Sequence, residues 1–323
     1  MRGALGGQLC ARLQRRPRVF GRRGGTVKLT LCGHEMKNPV IAASGTFGYG
    51  REYEDYYDPA VLGGISSKGL TLQPQKGNPG QRLHETPMGL MNSIGLQNPG
   101  VEWFIEHELA DMLTIDTLTL VNLGGHSMED YITGAQLLDK TEAPVIELNI
   151  SCPNVDAGGM AFGIRCHSAS AVVREVRQAT KKTLLVKLSP NAENIVDMAL
   201  ACEEAGADAV SLVNTFQAMA IDVHAKKPVF HRVTAGLSGP AILPIALRMV
   251  HDVAKAVSIP VVGLGGIASG EDALAFIMAG ATAVQVGTAA FTHPLRMPQI
   301  IDEMDAYCQQ YGIRDWQEIR GIV

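Results

Sequence analysis

The stretch PVVGLGGIASGEDALAFIMAGATAVQVGT, residues 260–288, sets two short apolar runs on either side of an amphipathic segment. The runs, PVVGLGG (260–266) and AVQVGT (283–288), are β-branched and lack strict alternation, as strands buried on both faces do. Between them SGEDALAFIMAG (269–280) spaces its apolar residues as a helix does and closes on glycine, a common helix stop. Strand, helix and strand in so short a span make one unit of a parallel α/β layout.

The same beat runs back through the chain. Six further runs read as strands: PVIAAS (39–44), GGISSK (63–68), LTLVNL (118–123), VIELN (145–149), LLVKLS (184–189) and AVSLVN (209–214). Helical periodicity fills the gaps at 98–113, 128–140, 168–182, 194–206 and 239–257, and a last helix covers 294–312. VKLTL and HEMKNPV form a short hairpin around Gly33. Eight strands alternating with helices predict one (β/α)8 TIM barrel over residues 27–323. An open doubly wound sheet is the structural alternative. No G-x-G-x-x-G follows the first strand, which weighs against a dinucleotide-binding form of it.

Composition narrows the function classes. The 323 residues are 46% apolar and 19% charged with a net charge of −4, so neither nucleic acid nor an anionic membrane is expected as partner. No apolar run approaches the roughly 20 residues that span a bilayer. The six cysteines lack C-x-x-C spacing, and no histidine pair has metal-ligand spacing, so no metal is expected and the setting reads as a reducing cytoplasm. Residues 1–26 differ, because seven arginines and no acid precede Glu35. They read as a disordered or mis-started extension rather than a targeting helix, since RRPR and GRRGG break helical periodicity.

Barrel chemistry sits at the C-terminal ends of the strands. Those ends carry Ser44 and Gly45; Lys68; Asn122; Asn149, leading to Cys152 and Asn154; Lys187; Asn214 and Thr215; Gly265 and Gly266; Gly287 and Thr288. The glycine turns after the last two strands suit a phosphate held by backbone N–H groups. Two lysines suit a carboxylate or a developing negative charge, and the asparagines suit the edge of a flat imide ring. Among these rim groups Cys152 is the one fitted to move a proton, since a thiol titrates near 8.5 and its neighbours are Ser, Pro and Asn. Cys202, inside an apolar helix, reads as a small core residue, and Cys166 as incidental. Residues 152–166, with Gly158, Gly159 and Gly163, read as a mobile lid over the rim.

Taken together, NPVIAASGTFGYGREY, SSKGLT, GNPGQRLHETPMGLMNSIGLQNPG, ELNISCPNVDAGGMAFG, VKLSPN, LVNT, AGLSGP, GLGGI and AVQVGTA closely resemble the family 1 dihydroorotate dehydrogenases of pyrimidine biosynthesis. The resemblance runs from about Val27 to near the C-terminus. It implies an FMN-containing barrel that oxidises dihydroorotate to orotate. Cys152 then matches the base that takes the C5 proton while a hydride leaves C6 for the flavin. Asn92, Asn149, Asn154, Asn214 and Thr215 match groups that bond the pyrimidine ring, and Lys68, Gly95 and Leu96 match further substrate contacts, the carboxylate included. The FMN positions are Ala43, Ser44, Gly45, Lys68, Asn122, Asn149, Lys187, Gly239, Gly265, Gly266, Gly287 and Thr288. Lys187 would stabilise the anionic reduced flavin.

Within family 1, FGYGREY and NVDAGGMAFG are most similar to the NAD-linked branch. That likeness implies a homodimer joined to an electron-transfer subunit carrying FAD and a 2Fe-2S cluster, a heterotetramer in all. This chain has spacing for neither group, so both are expected on the partner. The alternatives are a fumarate-dependent dihydroorotate dehydrogenase acting alone, a dihydropyrimidine dehydrogenase, or a flavin-free phosphate-binding aldolase or synthase barrel.

Overall fold

All eight apolar runs form strands, and the strands close on themselves. A computed structural model describes residues 29–150 and 163–323. Its barrel strands are β1 (Val40–Ala42), β2 (Gly64–Ser66), β3 (Leu118–Leu123), β4 (Val145–Asn149), β5 (Thr183–Lys187), β6 (Ala209–Leu212), β7 (Val261–Leu264) and β8 (Ala283–Val286). Each pairs in parallel with its sequence neighbours, and β8 returns to β1. Every residue of β3 and β4 is buried, which explains their unbroken apolar text: one face packs on helices and the other fills the barrel.

The helices ring the barrel in the expected places with trimmed ends, save one short helix at Ala289–Thr292 that was not expected. They are α1 (Val101–His107), α2 (Leu109–Leu113), α3 (Met128–Asp139), α4 (Cys166–Ala179), α5 (Ile195–Glu204), α6 (Leu243–Ala254), α7 (Gly270–Met278), α8 (Ala289–Thr292) and α9 (Arg296–Tyr311). The 98–113 segment is two helices, broken at Glu108. Short side chains start several of them. Ser127 and Asp130 form a capping box on α3, Asn194 caps α5 and Ser269 caps α7. The predicted hairpin pairs Leu29–Leu31 with His34–Met36 through Cys32 and Gly33.

One layer was not expected. The segments after β2 and β6 build a four-stranded antiparallel sheet in the order 216–219, 234–238, 89–92 and 83–86. Its strands are short and mostly half-exposed, with Pro87 and Gly89 at their turn, so neither period stands out in the sequence. That sheet walls one side of the space above the barrel mouth.

Candidate functional site

A cavity of about 1390 Å³ opens over the C-terminal ends of the strands. Of the predicted site residues, Ala43, Ser44, Gly45, Lys68, Asn92, Gly95, Leu96, Asn149, Lys187, Asn214, Thr215, Gly239, Gly265, Gly266, Gly287 and Thr288 all line it. Cys152, Asn154 and residues 152–162 of the expected lid lie outside the described residues, as does the 1–26 extension. Asn122 stands apart from the cavity wall. It is fully buried in β3 with its amide nitrogen turned onto Glu147.

Glu147 is the residue that a reading of strand ends passes over. It sits two positions before Asn149 in β4, on the same face, with no exposure. Its carboxylate accepts from Ser66 Oγ at 2.6 Å, Asn122 Nδ2 at 2.7 Å, Gln285 Nε2 at 2.5 Å and Ser211 Oγ at 3.3 Å. Lys187 Nζ stands 4.0 Å away and donates to Gln285 Oε1 at 3.3 Å. Burial alone would raise the carboxyl pKa. The Lys187 charge and the hydrogen bonds outweigh that and hold it below the usual range. The signal for it was there: an acid inside an otherwise buried apolar strand needs partners.

The opposite rim is backbone. Gly265 and Gly266 take φ of +124° and +84°, a turn that favours glycine. A Cβ on Gly266 would lie 2.7 Å from the Leu243 nitrogen at the start of α6. Across from this turn, Thr288 Oγ1 donates to Ser238 Oγ at 2.9 Å just before the short α8. Glycine turns after β7 and β8 beside a short helix are the usual barrel arrangement for a phosphate.

Nearer the antiparallel sheet, short amides face one another. Asn214 Nδ2 reaches Asn149 Oδ1 at 3.5 Å, and Asn214 Oδ1 accepts from the Thr215 N–H at 2.8 Å. Loop 93–98 carries Leu96 with a φ of +51°. Asn98 holds that loop: its Nδ2 donates to Leu96 O at 2.7 Å and Thr71 Oγ1 at 2.8 Å, while Oδ1 accepts from the Thr71 and Gly100 N–H groups. The cavity therefore offers a glycine turn at one end, a lysine on its floor, and paired amides with a second lysine, Lys68, at its side.

Among the described residues, Cys32, Cys202 and Cys308 are silent by environment. Burial pushes the Cys32 thiol up to about 11, with Asp208 adding to it. Burial does the same to Cys202, up to about 12, and to Cys308, up to about 11. At about pH 8 only about one Cys32 thiol in a thousand is ionised. Alkylation of the native protein at that pH is expected to spare Cys32, Cys202 and Cys308, as mass spectrometry against the denatured chain would show. Labelling of Cys32 in the native protein as fast as in the denatured chain would contradict this.

Fold and site together define a (β/α)8 barrel with glycine turns, two lysines and paired amides around the cavity at its mouth. Residues 26–307 match the family described as dihydroorotate dehydrogenase. The chain is 55% identical over 296 residues to "Dihydroorotate dehydrogenase B (NAD(+)), catalytic subunit" of Petrotoga mobilis, covering 92% of this chain and 99% of that one. Proteins of the same name from Bacteroides thetaiotaomicron and Geotalea uraniireducens are 51% and 50% identical, covering 90% and 92% of this chain and 96% and 98% of theirs. The chain belongs to the dihydroorotate dehydrogenase family.

Proposed function

We propose that this chain oxidises dihydroorotate to orotate in pyrimidine biosynthesis, with FMN as its bound cofactor and NAD as the final acceptor. The observation that carries the reading is the cavity itself, where Lys187, Lys68, Asn149 and Asn214 face one space closed by the Gly265–Gly266 turn. Several features fit FMN. The glycine turn and Thr288 suit its phosphate. Lys187, buried at the floor, suits the electron-rich edge of the ring system. The fully buried Asn122 Oδ1 has no hydrogen-bond partner among the described residues, and a Cβ on Gly69, which lines the cavity, would come within 3.0 Å of it.

FMN, when bound, supplies the acceptor for the hydride that leaves C6 of the substrate. The chain's own residues do the rest. Asn92, Asn149, Asn154, Asn214 and Thr215 orient the pyrimidine ring. Lys68 and the Gly95–Leu96 backbone hold its carboxylate end, on a loop that Asn98 keeps in shape. Cys152 takes the proton from C5, and the segment around it shields that step from water. Gly266→Ala is expected to lower FMN affinity at least about tenfold, because the new Cβ is strained at positive φ and crowds the α6 start. Equal FMN retention after dialysis would remove the turn from cofactor binding.

The relatives are named catalytic subunits of a NAD(+) enzyme. A catalytic subunit implies a partner subunit, and the motif resemblance further implies a homodimer joined to a subunit carrying FAD and a 2Fe-2S cluster, a cytoplasmic heterotetramer. No helix among the described residues is long and apolar enough to cross a membrane. Co-purification from the native host tests the assembly. A flavin and iron–sulfur partner with dihydroorotate-dependent NAD reduction is the expected result. Fumarate reduction by the isolated chain, or faster turnover of dihydrouracil, would overturn it in favour of the corresponding alternative.

A further inference from the structure

Lys187 and Glu147 face the barrel interior from neighbouring strands, with side-chain exposures of 5% and 0% and charged atoms 4.0 Å apart. Their surroundings are neutral: Ser66 from β2, Asn122 from β3, Ser211 from β6 and Gln285 from β8. The other charged or titratable groups lining the cavity among the described residues stand off this floor. Lys68 follows β2, Glu85 lies in the antiparallel sheet, and His231 and Arg232 lie in the loop before its 234–238 strand. An ammonium buried without a counter-charge gives up its proton, since desolvation penalises the charged form. A buried ion pair is also a poor stabiliser beside an apolar pair of equal volume, so stability alone does not account for a carboxylate here.

We propose that Glu147 is a positioning residue for Lys187: it keeps the ammonium charged and fixed at the floor of the cavity, so that reduction of a flavin held there would draw no proton into Lys187. This rests on the FMN reading above. Four hydrogen-bond donors fix the carboxylate, two of them hydroxyls and two of them amides, and the Gln285 amide ties acid and lysine together by meeting both. Register supports the arrangement, since Asn122 lies opposite Glu147, and Lys187 lies opposite both Asn149 and Ser211.

The test is the flavin reduction potential of the holoprotein from about pH 6 to about pH 9, across which an ordinary lysine stays charged. With Glu147→Gln, Lys187 is neutral beside oxidised flavin and takes up a proton on reduction. One further proton per two electrons steepens the potential by about 30 mV per pH unit, a tenfold change in the reduction equilibrium for each unit. Glu147→Asp, which keeps the charge, is expected to restore the unmodified slope. Equal slopes for Glu147→Gln and the unmodified protein overturn the proposal. If Glu147→Gln does not fold, infrared spectra of the unmodified holoprotein with isotope-labelled glutamate decide. An ionised Glu147 shows no protonated carboxyl band at neutral pH, and such a band overturns the proposal. Unmodified protein without FMN would instead refute the functional reading.

Discussion

Cys152→Ser is expected to cut dihydroorotate turnover near neutral pH at least about 10²-fold while leaving FMN bound, because a positioned general base contributes about 10² to 10⁴. A thiol titrates within reach of neutral pH, whereas a serine hydroxyl is a far weaker base there. The loss should fall on kcat more than on KM, since orientation of the ring rests on the asparagines. It should shrink as the pH rises and water or hydroxide takes over the base role. The flavin absorbance of the variant serves as the control for folding. Turnover equal to that of the unmodified chain would remove Cys152 from the proton step.

Lys187→Met is expected to destabilise the fold by about 3–5 kcal/mol at neutral pH, the usual cost of leaving a buried charge without its partner. The pH dependence gives the prediction its sign. In the unmodified protein the folded-state pKa of Glu147 lies below its ordinary value, with Lys187 among the causes. Its contribution to stability is therefore complete above the unfolded-state pKa, about 4.5, and is lost as the pH falls through the folded-state value. Without Lys187 the burial cost dominates and the carboxyl pKa rises. The stability gap between the two proteins should then be widest at neutral pH and narrow on acidification toward about pH 4. Urea unfolding of both proteins across that range measures it. A gap independent of pH would mean that the two side chains do not interact as charges.

The barrel was legible because burial on both faces writes itself into composition. LTLVNL and VIELN could not be so apolar with one face in water, and both are wholly buried strands. Strand-end residues were legible for a related reason. Lys187 and Asn149 each end such a run and line the cavity at the barrel mouth. The antiparallel sheet was not, because 83–86 and 89–92 are half-exposed and 89–92 pairs on its other side with Gly236–Ser238, far along the chain. Glu147 escaped for a geometric reason. Its donors lie between 25 and 138 positions away and meet it only once the barrel has closed. Asn122 shows the same limit: a polar residue near a strand end can face the mouth or the floor, and register decides which.

An anaerobic titration with dihydroorotate tests dihydroorotate oxidation on bound FMN most directly. The purified chain is expected to be yellow, to release FMN on denaturation, and to lose its flavin absorbance on adding dihydroorotate, with one orotate formed per flavin. A colourless chain, or a flavin that dihydroorotate leaves oxidised, would contradict it.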